Sequence, residues 1–403
     1  MTHERILEGE ALFSAGKLNE AEECFLMALS ENPGEPVALN NLGVIAYKRQ
    51  DYDKARDFFK QALAVDPLYV SARENLSELP KAALGTPFLV QGRKMVILSD
   101  SESDFSRMCA AYFGNNNKVR EVKAATDAEA ASAANEADIV LLSSLFVPLK
   151  GFLSRNNKMK VIARVRGDER RSAEAWRAVP WGAFDGIVFP AEHVRKRVAA
   201  LAGAALPMVR TAIIAEALDT NFYPLYQNGE GRNVCFFGNI NADKGVEFLI
   251  QCIALTVARG EQFRFHLAGE FEETRYSVYT AHLLKELGLG LYVRFYGKFK
   301  EPVNFLRDIS HVINTSEQEN VPAELIKTMA CGVRPLVRAW QGASDLFRPG
   351  DLFKTPEEFV TRLLEGPYAP QVYRDWVMDR FNAVTQAPRV DEFLHRVMEG
   401  KTP

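Results

Sequence analysis

The sequence predicts an α/β protein: two Rossmann-like units facing a cleft, preceded by an all-α helical repeat. Three observations carry this reading. Small, aromatic and proline residues recur at a 34-residue interval within the first eighty residues. Past a linker, short apolar runs alternate with amphipathic stretches, the pattern of parallel strands joined by crossover helices. A cluster of Pro, Asn and Gly at 223–232 interrupts that alternation before it resumes, so there are two units rather than one. A chain of 403 residues is long enough for all three bodies.

The repeat comes first. Gly9, Leu12, Ala21, Phe25, Ala28 and Pro33 return as Gly43, Ala46, Ala55, Phe59, Ala62 and Pro67. Ala21 and Ala55 let two antiparallel helices approach closely, Phe25 and Phe59 fill space between repeats, and Pro33 and Pro67 end the second helix. The segment from Leu68 to about Leu79 carries Ala72 and Leu76 in the same phase and reads as a capping helix. The period and its residues resemble the tetratricopeptide repeat. That resemblance implies either a protein-docking surface over residues 1–82 or a helical cap for the rest of the chain.

Residues 83–93 read as a linker. In the first unit (94–228), strands are expected at Met95–Ser99, Ile139–Ser143, Val161–Val165, Gly186–Phe189 and Val209–Ile213. Helices are expected at Ala124–Asn135 and Glu192–Ala202. The second unit (229–360) has expected strands at Val234–Phe237, Phe263–Ala268, Val293–Tyr296, His311–Asn314 and Arg334–Val337. Its helices are expected at Lys244–Ala258, Ser277–Leu287, Val303–Leu306 and Ala323–Cys331. The tail (361–403) has a helical pattern but looks too polar outside its stripes to form a core. Ligands of such folds sit at the carboxyl ends of the strands.

Composition narrows the function. With 47% hydrophobic and 25% charged residues, the chain can build real cores. A net charge of −3 excludes a strongly basic nucleic-acid binder or a polybasic membrane-surface protein. No apolar run approaches the ~20 residues that span a bilayer. Met-Thr-His-Glu-Arg at the start lacks the order of a signal peptide. Cys24, Cys109, Cys235, Cys252 and Cys331 are scattered, with no C-x-x-C pair. These features fit a reducing, cytoplasmic compartment and neither a disulfide framework nor a thiolate metal site. The histidines show no metal-ligand spacing, so no metal is expected.

Three segments of the second unit stand where chemistry belongs. In Gly238-Asn239-Ile240-Asn241-Ala242-Asp243-Lys244-Gly245 a strand runs into a glycine and a short loop, then a lysine at a helix start, a combination suited to an anion. Ala268-Gly269-Glu270 and Tyr296-Gly297-Lys298-Phe299 follow the next two strands. Ser316-Glu317-Gln318-Glu319-Asn320-Val321-Pro322 is an acidic loop leading into a helix that ends at Gly332. A carboxylate there can accept bonds from sugar hydroxyls while exposed N–H groups face phosphate. The same acids equally complement the helix dipole, and each turn taken alone is an ordinary αβ turn.

Taken in order, the three segments resemble the nucleotide-sugar half of the GT-B family called glycosyl transferases group 1. Lys244 and Gly245 match the end of its G-R-L-x-x-x-K-G segment, and Met329-Ala330-Cys331-Gly332 matches its closing M-A-C-G. Residues 94–226 resemble the acceptor half through Ala183–Glu192 and Ala217–Pro224. The resemblance implies transfer of a hexose from a nucleotide-diphosphate sugar to a glycan, lipid-linked or envelope-precursor acceptor, with retention and without a metal or other cofactor. By the same resemblance Lys244 pairs with the donor diphosphate and Glu319 holds a sugar hydroxyl. Asn320 and Val321 give backbone N–H groups, Gly238 lets the ligand approach, and Lys298 and Phe299 flank the base. In the first unit Asp168, after the strand that ends near Val165, is the nominated acceptor contact. His193 reads as structural.

Three positions depart from the family pattern. Asn239 stands in place of a phosphate-binding arginine. Lys327 stands in place of a ribose-holding glutamate; it can take part in phosphate neutralisation or pair with Glu324 one turn earlier. Acidic Asp100–Asp104 replaces a glycine-rich turn. These departures keep open a catalytically degenerate binding module, or a protein-acceptor transferase recruited through the repeats.

Overall fold

The computed structural model describes residues 2–49, 51–66, 69–78, 87, 89–99, 103–124, 126–145, 159–166, 173–203, 209–226, 231–298, 305–366 and 368–400. The expected positions Pro67, Leu68, Asp168 and Phe299, and the first two residues of the expected Val303–Leu306 helix, lie outside them.

Five helices open the chain: α1 (Thr2–Ser14), α2 (Leu18–Glu31), α3 (Pro36–Lys48), α4 (Tyr52–Val65) and α5 (Val70–Glu78). The repeat is visible in its packing. A Cβ on Gly9 would lie 2.6 Å from the Phe25 ring, and one on Gly43 would lie 2.4 Å from the Phe59 ring. Each phenylalanine therefore seats on the glycine of its own repeat. Leu42 and Ile45 close over Phe25 from the following helix, and Ala72 and Leu76 of α5 cover the second repeat's core. Arg307 of the second lobe donates to the Val65 carbonyl at 3.1 Å, which ties the repeat to the body.

The first lobe contains β1 (Lys94–Ser99), α6 (Asp104–Phe113), β2 (Lys118–Lys123), α7 (Asp127–Ala134), β3 (Ile139–Leu142), β4 (Lys160–Arg164), α8 (Ala173–Arg177), β5 (Gly186–Phe189), α9 (Glu192–Ala202) and β6 (Thr211–Ile213). Its parallel sheet has the order β2-β1-β3-β4-β5-β6. Helix α6 and strand β2 are absent from the sequence reading. Strand β2 is an edge strand, Lys-Val-Arg-Glu-Val-Lys, whose charges blunt the open edge and hide its β character.

The second lobe contains β7 (Asn233–Phe237), α10 (Val246–Ala258), β8 (Arg264–Ala268), α11 (Thr274–Glu286), β9 (Val293–Gly297), β10 (His311–Asn314), α12 (Ala323–Ala330), β11 (Arg334–Arg338), α13 (Ala343–Leu346) and β12 (Leu352–Phe353). Its order is β12-β11-β10-β7-β8-β9, so the strand order reverses between β7 and β10. The loops leaving those two strands must diverge, and the crevice between them is where an open α/β sheet binds ligands.

The tail forms α14 (Pro356–Leu364), α15 (Pro370–Phe381) and α16 (Ala383–Met398). Contrary to expectation, its stripes do join cores. Helix α16 crosses back and buries Val390, Phe393, Leu394 and Val397 with Ile97, Leu141 and Ile162 of the first sheet. Gly186 allows this, since a Cβ there would lie 2.8 Å from the Phe393 ring. Asp391 is 2% exposed and accepts from the N–H groups of Leu89 and Val90, both at 2.9 Å. Replacing it by Ala leaves the buried Val90 donor and the part-buried Leu89 donor unpaired; a loss of about 2–3 kcal/mol is expected in denaturant unfolding. An unchanged midpoint would show that this strap is not structural.

Candidate functional site

The β7–β10 switch point is built from backbone constraints first. Gly238 leaves β7 at φ +140°, in the region that disfavours side chains. Its carbonyl lies so close to Gly269 that a Cβ on Gly269 would sit 1.8 Å from that oxygen. The following turn is fastened by one acid: Glu272 accepts from Asn239 at 2.9 Å and from Asn241 at 2.8 Å. Asn241 in turn accepts from the Lys244 N–H at 3.0 Å. Gly245, at φ +63°, begins α10 so close to the second loop that a Cβ would lie 2.2 Å from the Thr315 carbonyl. Thr315 Oγ1 donates to the Lys244 carbonyl at 2.8 Å and binds the two loops together.

Side chains complete the site. Lys244 Nζ lies 2.5 Å from Glu319 Oε1. The same oxygen accepts from Ser316 Oγ at 2.7 Å and from Asn314 Nδ2 at 3.3 Å. Asn314 ends β10 and is 8% exposed, and its Oδ1 has no hydrogen-bond partner. Glu319 is thus held by three donors, while Lys244 stays partly open to solvent, at 29% exposure. Asn320 and Val321 follow it, half-buried, leading into α12. Pro322 caps that helix without a side-chain hydrogen bond, so its first N–H groups remain available to a ligand. Lys244, Glu319 and this helix start thus lie together in one cluster at the switch point.

The other nominated residues fall elsewhere. Asn239 gives its amide to Glu272 and serves as a loop brace. Glu324 is exposed and pairs with Lys327 at 3.0 Å, the same-face pairing that their spacing allows. Lys327 also reaches Asp104 of α6 across the cleft, at 3.8 Å. Burial pulls its pKa down, but Glu324 and Asp104 outweigh burial and hold it above the ordinary lysine value. Lys298 is exposed just beyond β9, where Gly297 bridges Gly269.

The opposite wall is α9. His193 and Arg197, at i and i+4, share one face of it. The His193 ring lies 5.3 Å from Trp340 and fills the space that a Cβ on Gly342 would need. Burial, assisted by Arg197, holds its imidazole below the usual value. Arg197 donates to the side-chain oxygen of Asn320, directly beside Glu319. At the carboxyl edge of the first sheet, Arg164 is 1% exposed, pairs with Glu216 at 2.7 Å and lies 4.1 Å from the Phe105 ring centre. Sequence reasoning missed Asn314, Arg197, Glu272 and Arg164. Asn314 and Arg164 were detectable as polar residues closing apolar strands. The roles of Glu272 and Arg197 depend on which loop and which helix face meet across space, which no local pattern encodes. Among the described residues, no group of three His, Cys, Asp or Glu side chains is placed to hold a metal ion.

Comparison with known proteins agrees with this anatomy. Residues 231–365 match the family model of glycosyl transferases group 1, and residues 6–76 match a tetratricopeptide repeat model. The repeat region is also 32% identical over 74 residues to the Saccharomyces cerevisiae anaphase-promoting complex subunit CDC16; that stretch is 18% of this chain and spans only 9% of the yeast protein. Among solved structures, Anabaena HepE in complex with UDP and glucose superposes with a TM-score of 0.61 at 16% identity, over 75% of this chain and 99% of its own. Sucrose-phosphate synthase of Thermosynechococcus elongatus gives 0.59 at 11% identity, over 77% of this chain and 100% of its own. An O-GlcNAc transferase variant of Thermobaculum terrenum gives 0.54 at 13% identity, over 99% of this chain and 97% of its own. The two lobes therefore have the GT-B fold, with a tetratricopeptide head.

Proposed function

We propose that this chain, whose second lobe matches glycosyl transferases group 1, transfers a hexose from a nucleotide-diphosphate sugar to an acceptor bound by the first lobe. The supporting observation is the Lys244–Glu319 pair at the switch point, beside a helix start whose N–H groups carry no side-chain cap. In the transfer, the bond from the anomeric carbon to the diphosphate breaks as the bond to the acceptor oxygen forms on the same face of the sugar, and the acceptor hydroxyl's proton passes to the departing phosphate oxygen. Negative charge builds on the departing diphosphate, where Lys244 and the N–H groups around Asn320, Val321 and α12 stabilise it. Glu319, fixed by Ser316 and Asn314, orients the sugar through a hydroxyl. Charge is then met by fixed dipoles and one ammonium rather than a metal, and the transferred sugar keeps its anomeric configuration. A glycan or envelope precursor is the expected acceptor.

Glu319→Ala tests this reading. Donor turnover, including slow hydrolysis of the nucleotide sugar, should fall by about tenfold or more, because the sugar loses its orienting acceptor. Nucleoside diphosphate affinity should hold or rise, because Lys244 loses its competing carboxylate. Unchanged turnover would reject the assignment of Glu319.

A second reading, with a polypeptide acceptor, is favoured by one observation: the likeness to the Thermobaculum O-GlcNAc transferase runs over 99% of this chain, repeat included. A cavity of about 300 Å³ in the repeat, lined by Glu10, Phe13, Asn41 and Val44 among others, would suit such a chain. Labelling of protein rather than of carbohydrate or lipid in cell extract would decide for it.

A further inference from the structure

Around the Lys244–Glu319 pair, four polar atoms of the described residues are buried without a hydrogen bond. They are both ring nitrogens of His193, the indole Nε1 of Trp340 and Oδ1 of Asn314. Their residues are 8%, 6% and 8% exposed. An unpaired buried polar group costs free energy, and folded proteins keep few of them.

Topology brings these groups together. Strands β10 and β11 are parallel neighbours, so the loops leaving their carboxyl ends lie side by side. The first loop carries Glu319, just past Asn314; the second carries Trp340 and Gly342. Helix α9 of the first lobe begins opposite both. Its first turn sets His193 against Trp340, with 5.3 Å between ring centres, and against Gly342, where a Cβ would lie 2.3 Å from the imidazole. The backbone of Glu319 and Asn320 lies beside the same ring. The wall is therefore built by both lobes, next to the carboxylate that orients the donor sugar.

The chemistry of the four atoms selects a class of ligand. Burial, assisted by Arg197, disfavours the charged imidazole, and the indole and amide carry no charge. A phosphate group would call for cations instead. A neutral imidazole offers one donor and one acceptor, the indole a donor and the amide oxygen an acceptor. A sugar hydroxyl both donates and accepts, and the indole adds an apolar face on which the C–H side of a sugar ring can pack.

Resting on the donor-site reading above, we infer that His193 and Trp340, one from each lobe, bind hydroxyls of the donor hexose and select it, with Asn314 Oδ1 as a further acceptor beside Glu319. Sugar choice is then shared between the lobes, while the diphosphate is left to Lys244 and the start of α12.

The test is calorimetry on the full chain with UDP, GDP and ADP and with UDP-glucose, UDP-galactose, GDP-mannose and ADP-glucose. The reading is the affinity of each conjugate relative to its own diphosphate. Trp340→Phe keeps an aromatic ring and removes the N–H. It should lower that ratio by roughly threefold to tenfold for the conjugate that wild type binds best, the range for one hydrogen bond, and leave the diphosphate unchanged. His193→Phe removes both nitrogens and should lower the ratio at least as far. His193→Asn, which restores a donor and an acceptor, should recover part of the loss. The preference of wild type among the conjugates should narrow in Trp340→Phe and His193→Phe. A ratio that neither variant changes would overturn the inference. So would an equal loss for diphosphate and conjugate, which would make the two rings a clasp between the lobes and nothing more. Wild type that binds none of the probes would sink the donor-site reading itself, and this inference with it.

Discussion

Lys244→Ala should abolish measurable sugar transfer, with a loss of about a hundredfold to a thousandfold in turnover, the range seen when one fixed donor to a developing anion is removed from a water-excluded site. The position leaves little room for compensation. Lys244 is held by its own backbone, through the Asn241 cap on its N–H and the Thr315 hydroxyl on its carbonyl. The alanine variant keeps both anchors, so the fold should be intact and thermal unfolding nearly unchanged. Glu319 would then face the ligand without its counter-charge and repel the diphosphate. Affinity for the nucleoside diphosphate should therefore fall together with turnover, in contrast to the rise or constancy expected of Glu319→Ala. The pair of variants is read by kinetics and calorimetry in parallel. If both moved donor affinity in the same direction, the two side chains would not form the opposed pair described here. Should Lys244→Ala retain full transfer, the second lobe would not be the diphosphate-binding lobe.

The largest effect on stability should come from Gly269→Ala. A Cβ at this position would lie 1.8 Å from the Gly238 carbonyl oxygen and 2.7 Å from its carbon, and neither atom belongs to a side chain that can swing away. The strands leading into these glycines are tied along their length, from Asn233 with Arg264 to Phe237 with Ala268, and Ile240 N–H donates to the Glu270 carbonyl at 2.8 Å just beyond them. Relief requires the two loops to separate, which breaks that pairing and moves the Lys244 turn. A cost of at least about 3 kcal/mol is expected, the upper end for overpacking. In a lobe of this size that is on the order of a 10 °C fall in Tm. Gly290→Ala is the control, since a Cβ there meets nothing within 4 Å and φ is not positive. A Tm for Gly269→Ala within a degree of Gly290→Ala would show that the loops are not packed as described.

Legibility differed between kinds of information. The repeat was readable because its signal is periodic: Gly9 and Gly43 must be small for the same reason, and the chain writes that reason twice. Strands β3, β4, β5 and β10 were readable because both faces of a parallel sheet are covered, which leaves uninterrupted apolar runs. Helix α6 and strand β2 were not, since the edge strand carries Lys118, Arg120, Glu121 and Lys123 to protect its open side. The apolar stripe of α16 was visible, but its destination was not; Phe393 reaches Gly186, some two hundred residues earlier in the chain.

The site divides along the same line. By itself the sequence determined that a glycine, a lysine and a glutamate lie at strand ends of one α/β unit, because strand–loop–helix order is local and the ends of parallel strands share one edge. It determined the 34-residue repeat for a similar reason. Only the tertiary structure decided that Lys244 and Glu319, 75 residues apart, are in contact, that Asn239 braces a loop through Glu272, and that Lys327 faces Asp104 of the other lobe. It alone turned the His193–Arg197 face of α9 toward Asn320. The physical reason is range. Backbone preference and burial act over a few residues and leave a trace in the pattern, whereas pairing of charges across a cleft depends on two lobes meeting, and either partner could stand at many positions without disturbing the local code.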